Sequence, residues 1–456
     1  MSAARRSEPQ AGAPWARRKL RALPWLAAYL GIVAGCTEPT VEKTVMLSID
    51  GGSGRADGLD ARLSDVSSPQ EDASFLGVSD CLGDELVFPI AQSASRAFGA
   101  VVDGMQVHLS YLEEGCDGIG LAGDPRGLRY ARFSTTGGVE SDVELPSPRC
   151  ASVRSPLLLA QAGSVTAFFA TRSERGDELQ SSLLSEGGAN AERALLVGLG
   201  GALAATLFGS AATPLAAYVS DSLDTDAGTA VLSVQGSITS EVLSASAQHH
   251  PVALALAALE PGTGLAGAAL WVNDRSESAG VYLRMLDDVG AGIGGVVGLS
   301  SAIGSRSAVA TAARKQGVGI VYSEAPRQDD VHQLRFRQMS LDGSVGEPVA
   351  LTYGDEDVGH TAIAAYSNGY AIAYRRLGGI LNRQAEVRLL FIDPAGNVGG
   401  ERFVAPTTIS GTAVDVRIAG DGRIIVLWDA LDLVDTHDAG AGGSAARLHV
   451  ARLLCL

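Results

Sequence analysis

Short runs of apolar and small residues alternate with polar loops along most of the chain. The stretch "NGYAIAYRR" (Asn368–Arg376) is typical, because its apolar positions run through an aromatic residue and end at two arginines. Runs of this length between glycine-rich turns predict short antiparallel strands. We expect the small residues Ala371 and Ala373 to pack between neighbouring sheets, and Arg375 and Arg376 to begin an exposed loop.

An apolar strand that ends in an aromatic residue occurs seven times along the chain. The separations between these aromatic residues are 57, 50, 53, 51, 52 and 54 residues. The aromatic residues are Tyr111, Phe168, Tyr218, Trp271, Tyr322, Tyr374 and Trp428. A nearly constant period is typical of repeat architectures in which each unit is one small supersecondary structure.

A second marker keeps the same period. After each aromatic residue except the last come another apolar strand, a glycine turn and, in all copies but the fourth, an acidic residue that opens a further strand. The turn glycines are Gly138, Gly187, Gly236, Gly290, Gly343 and Gly396. The acidic residues are Asp142, Glu192, Glu241, Glu347 and Glu401. Two independent markers with one period predict about four short strands in each unit.

Four-stranded units that repeat radially form a β-propeller, so we predict an all-β, seven-bladed β-propeller. The last unit lacks its fourth strand. The N-terminal segment "GDELVFPI" (Gly83–Ile90) is similar to the fourth strands of other units and has Glu85 in the acidic position. We expect this strand to complete the last blade beside Leu448–Leu454, which would remove an open sheet edge. The alternative is a tandem of β-sandwiches, which would not normally keep so even a period.

The N-terminus has the order of a targeting segment. Four positive residues between Arg17 and Arg21 precede the apolar run "ALPWLAAYLGIVAG" (Ala22–Gly35), which leads into "VAGC" (Val33–Cys36). This resembles the lipobox of bacterial lipoproteins. The resemblance implies cleavage after Gly35, diacylglycerol on Cys36 and attachment to the cell envelope, and Thr37 favours the outer membrane. The alternative is a plain secretory signal with a chance cysteine.

Three segments follow from these patterns. Residues 1–35 are predicted to be a lipoprotein signal peptide and residues 81–456 the β-propeller domain. Residues 36–80 between them are rich in Gly, Asp and Ser and poor in apolar residues. Such a composition cannot bury enough surface to order itself, so it predicts a flexible tether.

Four cysteines remain once Cys36 is assigned to the lipid. They are Cys81, Cys116, Cys150 and Cys455. An even number in an exported protein predicts two disulfides with three possible connectivities. Cys81 lies just before the closing strand and Cys455 on its predicted partner, while the other two flank the first blade, so these two pairings are favoured. No CxxC motif or Cys/His cluster is present in the sequence, and neither a metal nor a cofactor is predicted.

The formal net charge of the chain is −16. Nucleic acids and anionic membrane surfaces require a basic field, so we predict no nucleic-acid partner and no electrostatic membrane attachment. The lipid on Cys36 is then the predicted link to the membrane.

The first strands of several units begin with a basic or titratable residue near the predicted central channel. These residues are Arg96, Arg154, His250, Arg306 and His360. A broken ring of such side chains inside an acidic rim could hold an anionic or sugar-like ligand through charge-assisted hydrogen bonds. The alternative is that strand ends carry polar residues whose stems cover apolar edges.

Catalytic motifs are missing from the sequence. No GxSxG elbow, HExxH motif, P-loop or dinucleotide-binding glycine pattern occurs in a suitable context, and "GDEDVGH" (Gly354–His360) has the composition of a solvated turn. The whole chain is similar to bacterial lipoproteins with degenerate propeller repeats, which implies a fold and a location. We therefore predict a non-enzymatic envelope lipoprotein whose loops bind a protein or a glycan. The alternatives are an extracellular polysaccharide hydrolase or lyase, and an outer-membrane structural or assembly factor.

Overall fold

The computed structural model is all-β and has the β-propeller fold, which confirms the predicted fold class. It describes residues 82–454 apart from internal gaps. The gaps are 91–97, 115–125, 146–155, 162, 174–175, 186–187, 190–192, 198, 209–212, 221–227, 234–238, 245–250, 260–264, 274–278, 288, 302–307, 326–330, 354–356, 378–383, 409–412 and 434–443. Within the described part there is no helix of the length and hydrophobicity that a membrane span requires.

The described strands form seven antiparallel sheets, which we number in chain order. The first strand of the chain, β1 (Leu82–Pro89), belongs to the last sheet. Sheet 1 contains β2 (Phe98–Asp103), β3 (Gln106–Glu114), β4 (Arg126–Ser134) and β5 (Val139–Glu144). Sheet 2 contains β6 (Leu157–Gln161), β7 (Ser164–Ser173), β8 (Gly176–Ser185), β9 (Gly188–Ala189) and β10 (Arg193–Val197). Sheet 3 contains β11 (Leu199–Phe208), β12 (Thr213–Ser220), β13 (Gly228–Ser233) and β14 (Thr239–Ser244).

The remaining sheets have the same order. Sheet 4 contains β15 (Pro251–Ala258), β16 (Gly267–Asn273), β17 (Gly280–Leu286) and β18 (Gly292–Ser300). Sheet 5 contains β19 (Val309–Arg314), β20 (Gly317–Glu324), β21 (Gln333–Ser340) and β22 (Val349–Ala350). Sheet 6 contains β23 (Asp357–Tyr366), β24 (Gly369–Leu377), β25 (Gln384–Ile392) and β26 (Val398–Thr408). Sheet 7 contains β27 (Val414–Ile418), β28 (Ile424–Leu433), β29 (Ser444–Leu454) and, at its outer edge, β1.

The sheets are arranged radially. The first strand of each sheet lies beside the first strand of the next, and β27 of sheet 7 lies beside β2 of sheet 1. Six apolar clusters fill the spaces between the sheets, and each cluster combines side chains from neighbouring sheets. Both faces of the second strands β16, β20 and β24 are buried, and packing between sheets supplies the core.

The second strand of each sheet carries the predicted aromatic residue, and all seven of these side chains are buried. Strand β24, which contains most of the stretch "NGYAIAYRR", shows this packing. Tyr370 and Tyr374 lie in the cluster shared with sheet 5, whereas Ala371 and Ala373 lie in the cluster shared with sheet 7. Because successive side chains of a strand point to opposite faces, large and small residues alternate along it. The predicted packing of Ala371 and Ala373 between sheets is confirmed.

The two sequence markers contact each other in sheets 1 and 6. The hydroxyl of Tyr111 on β3 donates to the carboxylate of Asp142 on β5, at 3.0 Å to each oxygen. Arg129 on the intervening β4 also donates to Asp142, with 3.0 Å between Nε and Oδ1. In sheet 6 the hydroxyl of Tyr374 donates to Glu401 in the same way. The aromatic and acidic positions therefore recur together because they bond across the third strand.

The N-terminal strand closes the last sheet, as predicted. β1 pairs antiparallel with β29, with Leu86 opposite Val450 and Phe88 opposite Leu448. Arg452 of β29 is buried and contacts both sides of the closure. Its Nε donates to Asp84 of β1 at 2.8 Å, and its Nη1 donates to the carbonyl of Ser134 in sheet 1 at 2.9 Å. The two ends of the described part of the chain are therefore joined to each other and to the first sheet.

Two faces follow from the antiparallel order. The second and fourth strands of the sheets end on one face, and the first and third strands begin there; we call it the loop face. The short connections between first and second and between third and fourth strands lie on the opposite turn face. Gly290, Gly343 and Gly396 on the turn face have φ values of 87°, 83° and 87°, which only glycine adopts without strain. Three of the predicted turn glycines are thus required by backbone geometry.

Candidate functional site

Most of the residues that the sequence singled out lie outside the described part of the chain. The ring candidates Arg96, Arg154, His250 and Arg306 are in this group. So are Cys36, Cys81, Cys116, Cys150 and Cys455. The fifth ring candidate, His360, is described: it is half-buried and lies near the start of β23, on the loop face. The ring of cations stays a prediction, and His360 gives its one described position.

His360 lies in a β-bulge. β23 pairs with β24 so that Val358 is opposite Arg376 and Thr361 is opposite Tyr374, which leaves Gly359 and His360 facing the single residue Arg375. A bulge of this kind bends the strand and redirects a side chain, and bulges are frequent next to active sites. The bulge therefore brings a histidine beside an arginine at the entrance of the first strand of sheet 6.

Asp357 is the first residue of β23 and bonds to His332, which directly precedes β21 of sheet 5. The backbone N–H of His332 donates to Oδ1 of Asp357 at 2.9 Å, and its ring Nδ1 lies 3.3 Å from the same oxygen. The carbonyl of His332 accepts from the N–H of Val358 at 3.0 Å. The imidazole is 2% exposed, and its Nε2 has no hydrogen-bond partner among the described residues. The pair therefore joins sheets 5 and 6 and fixes the Asp357 carboxylate.

Arg375 is the least expected member of this region. We predicted that it would begin an exposed loop, and that prediction is wrong: β24 continues to Leu377, and Arg375 is 1% exposed. Burial lowers the pKa of Arg375, and the carboxylate of Asp429 in sheet 7 acts in the opposite sense. A guanidinium remains charged even when it is buried. The carboxylate of Asp429 therefore offsets part of the cost of burying the charge of Arg375.

Asp429 is itself buried and bonds within sheet 7. Its Oδ1 accepts from the backbone N–H of Ala413, just before β27, at 2.7 Å. Ser323 does the same in sheet 5, where its hydroxyl oxygen accepts from the N–H of Ala308 at 2.8 Å. Both residues directly follow the aromatic marker of their repeat. This position is polar or charged in sheets 5, 6 and 7.

A sequence signal could have identified this position. The residue after the aromatic marker is apolar in the first four repeats, as Leu112, Phe169, Val219 and Val272 show, and then becomes Ser323, Arg375 and Asp429. The repeat markers predicted from the sequence include the aromatic residues but not the residue that follows each of them. The segment Gly354–His360, which we interpreted as a solvated turn, supplies two members of the site.

We call Asp357, His360, Arg375 and Arg376 the sheet 6 cluster, with His332 and Asp429 as its neighbours from sheets 5 and 7. Arg376 is half-buried and lies opposite Glu386 of β25. The cluster thus contains an imidazole, a fixed carboxylate and two guanidinium groups on the paired segments of β23 and β24 nearest the loop face. Within the described part of the chain, no group of three or more His, Cys, Asp or Glu side chains is placed to hold a metal ion.

The chain is similar to several solved structures at low sequence identity. No protein-family model and no curated protein matches the chain. Among solved structures, the polysaccharide lyase Uly1 has a TM-score of 0.44 at 10% identity, over 79% of this chain and 91% of the lyase. The endosialidase of phage phi92 has a TM-score of 0.44 at 12% identity, over 82% and 70% of the two chains. An ancestral GH74 enzyme has a TM-score of 0.48 at 11% identity, over 79% of this chain and 48% of that one.

These comparisons correct one prediction. We expected a non-enzymatic protein, and the solved structures that share the architecture are named as a lyase, an endosialidase and a GH74 enzyme. The prediction of a binding protein without catalysis is therefore wrong by this comparison. At these identities and TM-scores the likeness concerns the fold, and any argument for a reaction must come from the residues of this chain.

Proposed function

We propose that this protein is an enzyme that cleaves an extracellular polysaccharide, as a lyase or a hydrolase. The observation that carries the proposal is the sheet 6 cluster. Its members come from the two paired strands β23 and β24, and they include a proton acceptor, a carboxylate and two cations near the start of β23. Charged groups are costly to bury, so their accumulation at one point of the loop face favours a functional role.

His360 is the group best suited to move a proton. An unperturbed imidazole has a pKa of about 6.5, so it accepts and donates protons near neutral pH. It is half-buried, whereas the imidazole of His332 is closed off from solvent. His332 instead holds Asp357 through its backbone N–H and its ring, which keeps that carboxylate beside the bulge.

The set of groups favours elimination over hydrolysis. In the elimination of an acidic polysaccharide, a base removes the proton next to the sugar carboxylate, a C=C bond forms as the C–O bond to the neighbouring sugar breaks, and the leaving oxygen takes up a proton from the protonated base or from water. A cation that neutralises the sugar carboxylate assists the removal of the first proton. Glycoside hydrolysis instead requires two carboxyl groups, one as acid and one as base or nucleophile. Asp357 and Asp429 both accept backbone N–H groups. His360 with Arg376 therefore matches a lyase acting on an acidic polymer better than a hydrolase.

The proposal includes the number of blades and the location. We propose that the seven described sheets are the complete set of blades, and that the cyclic contact of their first strands is the whole ring. We also propose, from the lipobox resemblance, that Cys36 is lipidated and that residues 36–80 connect the domain to the cell envelope. A flexible tether would let the loop face reach polymers outside the cell.

The test is a cleavage assay on purified protein that begins at Thr37 and so lacks the lipid. Neutral and acidic polysaccharides are incubated with it, and two products are measured: new reducing ends, which both reactions produce, and the ultraviolet absorbance of an unsaturated sugar, which elimination alone produces. His360→Gln and Arg376→Gln should each lower the rate by on the order of 100-fold. The control is Asp342→Asn, an exposed turn-face aspartate that bonds to Ser344 of its own turn.

The outcomes separate the hypotheses. Absorbance that rises together with reducing ends supports a lyase, and reducing ends alone support a hydrolase. Cleavage that survives both cluster substitutions would place the site elsewhere. A folded protein that cleaves none of the polymers would overturn the proposal.

A further inference from the structure

The connection from sheet 5 to sheet 6 carries an exposed aromatic residue. Tyr353 follows β22, the outer strand of sheet 5, and precedes β23, the first strand of sheet 6, so it lies on the loop face. Its side chain is 68% exposed, whereas the adjacent Leu351 and Thr352 are buried. Tyrosine combines an apolar ring with a polar end, which suits it to contacts with ligands and partners.

The backbone on both sides of Tyr353 is attached to one short stretch of sheet 5. On one side, the N–H of Leu334 donates to Oγ1 of Thr352 at 2.9 Å. On the other side, the N–H of His332 donates to Oδ1 of Asp357, a member of the sheet 6 cluster, at 2.9 Å. The two attachment points are two residues apart in the sequence, so Tyr353 is held beside the cluster.

The hydroxyl of Tyr353 is bonded to the chain's own backbone. It donates to the carbonyl of Ala350 at 3.0 Å, so the ring is the part of the side chain that is open to a ligand. Phe403 on the outer strand of sheet 6 is the other aromatic member of the exposed large hydrophobic side chains in the described part of the chain, at 47%. The guanidinium of Arg388 lies over its ring, 5.6 Å from the centroid. Tyr353 therefore differs from Phe403 in its position next to the cluster.

The chemistry of sugars gives this ring a use. A pyranose carries hydroxyl groups at its rim and C–H groups on its faces, so one face can pack on an aromatic ring while the rim forms hydrogen bonds. The sheet 6 cluster supplies charged groups for the carboxylate of an acidic sugar, and Tyr353 supplies an apolar surface beside them. We propose that Tyr353 is the platform of a sugar-binding subsite, on which the pyranose ring next to the cleaved sugar packs. The inference rests on the proposed function, because its ligand is the acidic polysaccharide of that proposal.

The role of Tyr353 is binding, and this distinguishes it from His360. The neighbouring sugar keeps its bonds and its charge while the cleaved sugar reacts, so its contact with the ring is the same in the bound substrate and in the transition state. Such a contact lowers KM and leaves kcat unchanged. Loss of the proton acceptor at His360 lowers kcat instead.

The experiment first measures binding, by electrophoresis through native gels that contain polygalacturonate or alginate, two uronate polymers. All proteins begin at Thr37 and carry His360→Gln, so that the polymer stays intact during the run. Tyr353→Ala removes the ring, Tyr353→Phe keeps it, and Phe403→Ala is the control that removes an exposed aromatic residue elsewhere. Far-ultraviolet circular dichroism and the melting temperature establish that each variant is folded.

We expect Tyr353→Ala to raise the polymer concentration that halves the mobility by on the order of 10-fold, because one aromatic contact is lost. Tyr353→Phe and Phe403→Ala should match the parent protein. In active protein with His360 restored, Tyr353→Ala should raise KM by a similar factor and leave kcat unchanged.

The outcomes separate this inference from the proposed function. Absence of retardation by either polymer would overturn the inference, and so would equal retardation of Tyr353→Ala and Phe403→Ala. Cleavage with an unchanged KM in Tyr353→Ala would overturn the subsite and leave the proposed function standing. Retardation that depends on Tyr353 in a protein that cleaves no polysaccharide would support the subsite and overturn the proposed cleavage.

Discussion

In sheet 1, the hydroxyl of Tyr111 on β3 donates a hydrogen bond to the carboxylate of Asp142 on β5, across the intervening strand β4. Burial raises the pKa of Tyr111, and Asp142 raises it further, so the phenol stays a proton donor at any physiological pH. Arg129 lies between them and bonds to Asp142 and, at 3.1 Å, to Glu113. The buried phenol of Tyr111 is thus connected through the carboxylate of Asp142 to Arg129.

Removal of the hydroxyl tests this connection. Tyr111→Phe should lower the free energy of unfolding by about 1 kcal/mol, because the carboxylate keeps its bond to Arg129 while the hydrogen bond from the phenol is lost. The midpoint of urea unfolding measures the change, with an unaltered slope. Tyr353→Phe is the control, since Tyr353 is exposed and water can replace its bond to the carbonyl of Ala350. Equal losses in the two variants would contradict the prediction.

The same relationship explains how much of the fold the sequence could predict. The aromatic and acidic residues mark the second and fourth strands of a sheet, because in sheets 1 and 6 they bond to each other within one sheet. Their constant spacing along the sequence therefore predicts a contact inside one repeat. The closing strand was predictable for the same reason: Glu85 occupies the acidic position, and it contacts His449 of β29, which stacks on Trp428. These contacts repeat, and repetition is visible in a single sequence.

The candidate site was less predictable, because its partners lie in different repeats. Arg375 ends an apolar run, which is typical of a strand end, and its burial depends on Asp429 of the next repeat. Asp357 follows a run of acidic and glycine residues, and its fixed position depends on His332 of the preceding repeat. The pattern of one strand contains no information on contacts between sheets. The sequence therefore predicts solvent exposure for Arg375 and Asp357.

Packing between sheets 5 and 6 gives a second prediction. A Cβ atom at Gly319 would lie 2.6 Å from a ring carbon of Tyr370, which is fully buried. Gly319→Ala should therefore lower the free energy of unfolding by about 1–3 kcal/mol, because the ring must shift in a close-packed core. Gly298→Ala is the matched control in an outer strand, where an added Cβ meets no atom within 4 Å. Urea unfolding of both variants measures the difference, and a neutral Gly319→Ala would show that the sheets are less tightly packed than described here.

The closure of the ring predicts a disulfide. Leu82 pairs with Leu454 at the end of the ladder between β1 and β29. Cys81 and Cys455 are the residues that follow this pair outward in the sequence. We expect peptide mapping without reductant to find the Cys81–Cys455 bridge.

The bridge should also affect stability. In the chain-entropy model, a bridge between residues so far apart in the sequence contributes about 6 kcal/mol, and Cys455→Ser should remove most of it. The same variant should leave Cys81 as a free thiol that reacts with a thiol reagent. A map in which Cys81 is joined to Cys116 or Cys150 would contradict the assignment, as would free thiols at both positions in protein purified from an oxidising compartment.

The contact between the last and first sheets should make stability depend on pH. Thr135 of sheet 1 donates its hydroxyl to Oδ2 of Asp421 in sheet 7 at 2.9 Å, and the backbone N–H of Arg423 donates to Oδ1 at 3.1 Å. Burial alone would raise the pKa of Asp421, but the bonds from Arg423 and Thr135 outweigh it and hold this pKa below its usual value. The folded protein therefore favours the ionised form more than the unfolded chain does. The resulting stabilisation is present above the ordinary pKa of an aspartate, about 3.9, and is lost as the pH falls through the lowered value.

Two variants isolate this contribution. Asp421→Asn keeps an acceptor but cannot titrate, so its free energy of unfolding should fall less than that of the unmodified chain between neutral and strongly acidic pH. Thr135→Val keeps the shape of the buried side chain and removes one donor, so it should reduce the same difference in part. Urea unfolding at a series of pH values measures the three curves. If they run parallel, Asp421 does not couple the closure to pH, and the contact between Thr135 and Asp421 contributes equally in both protonation states.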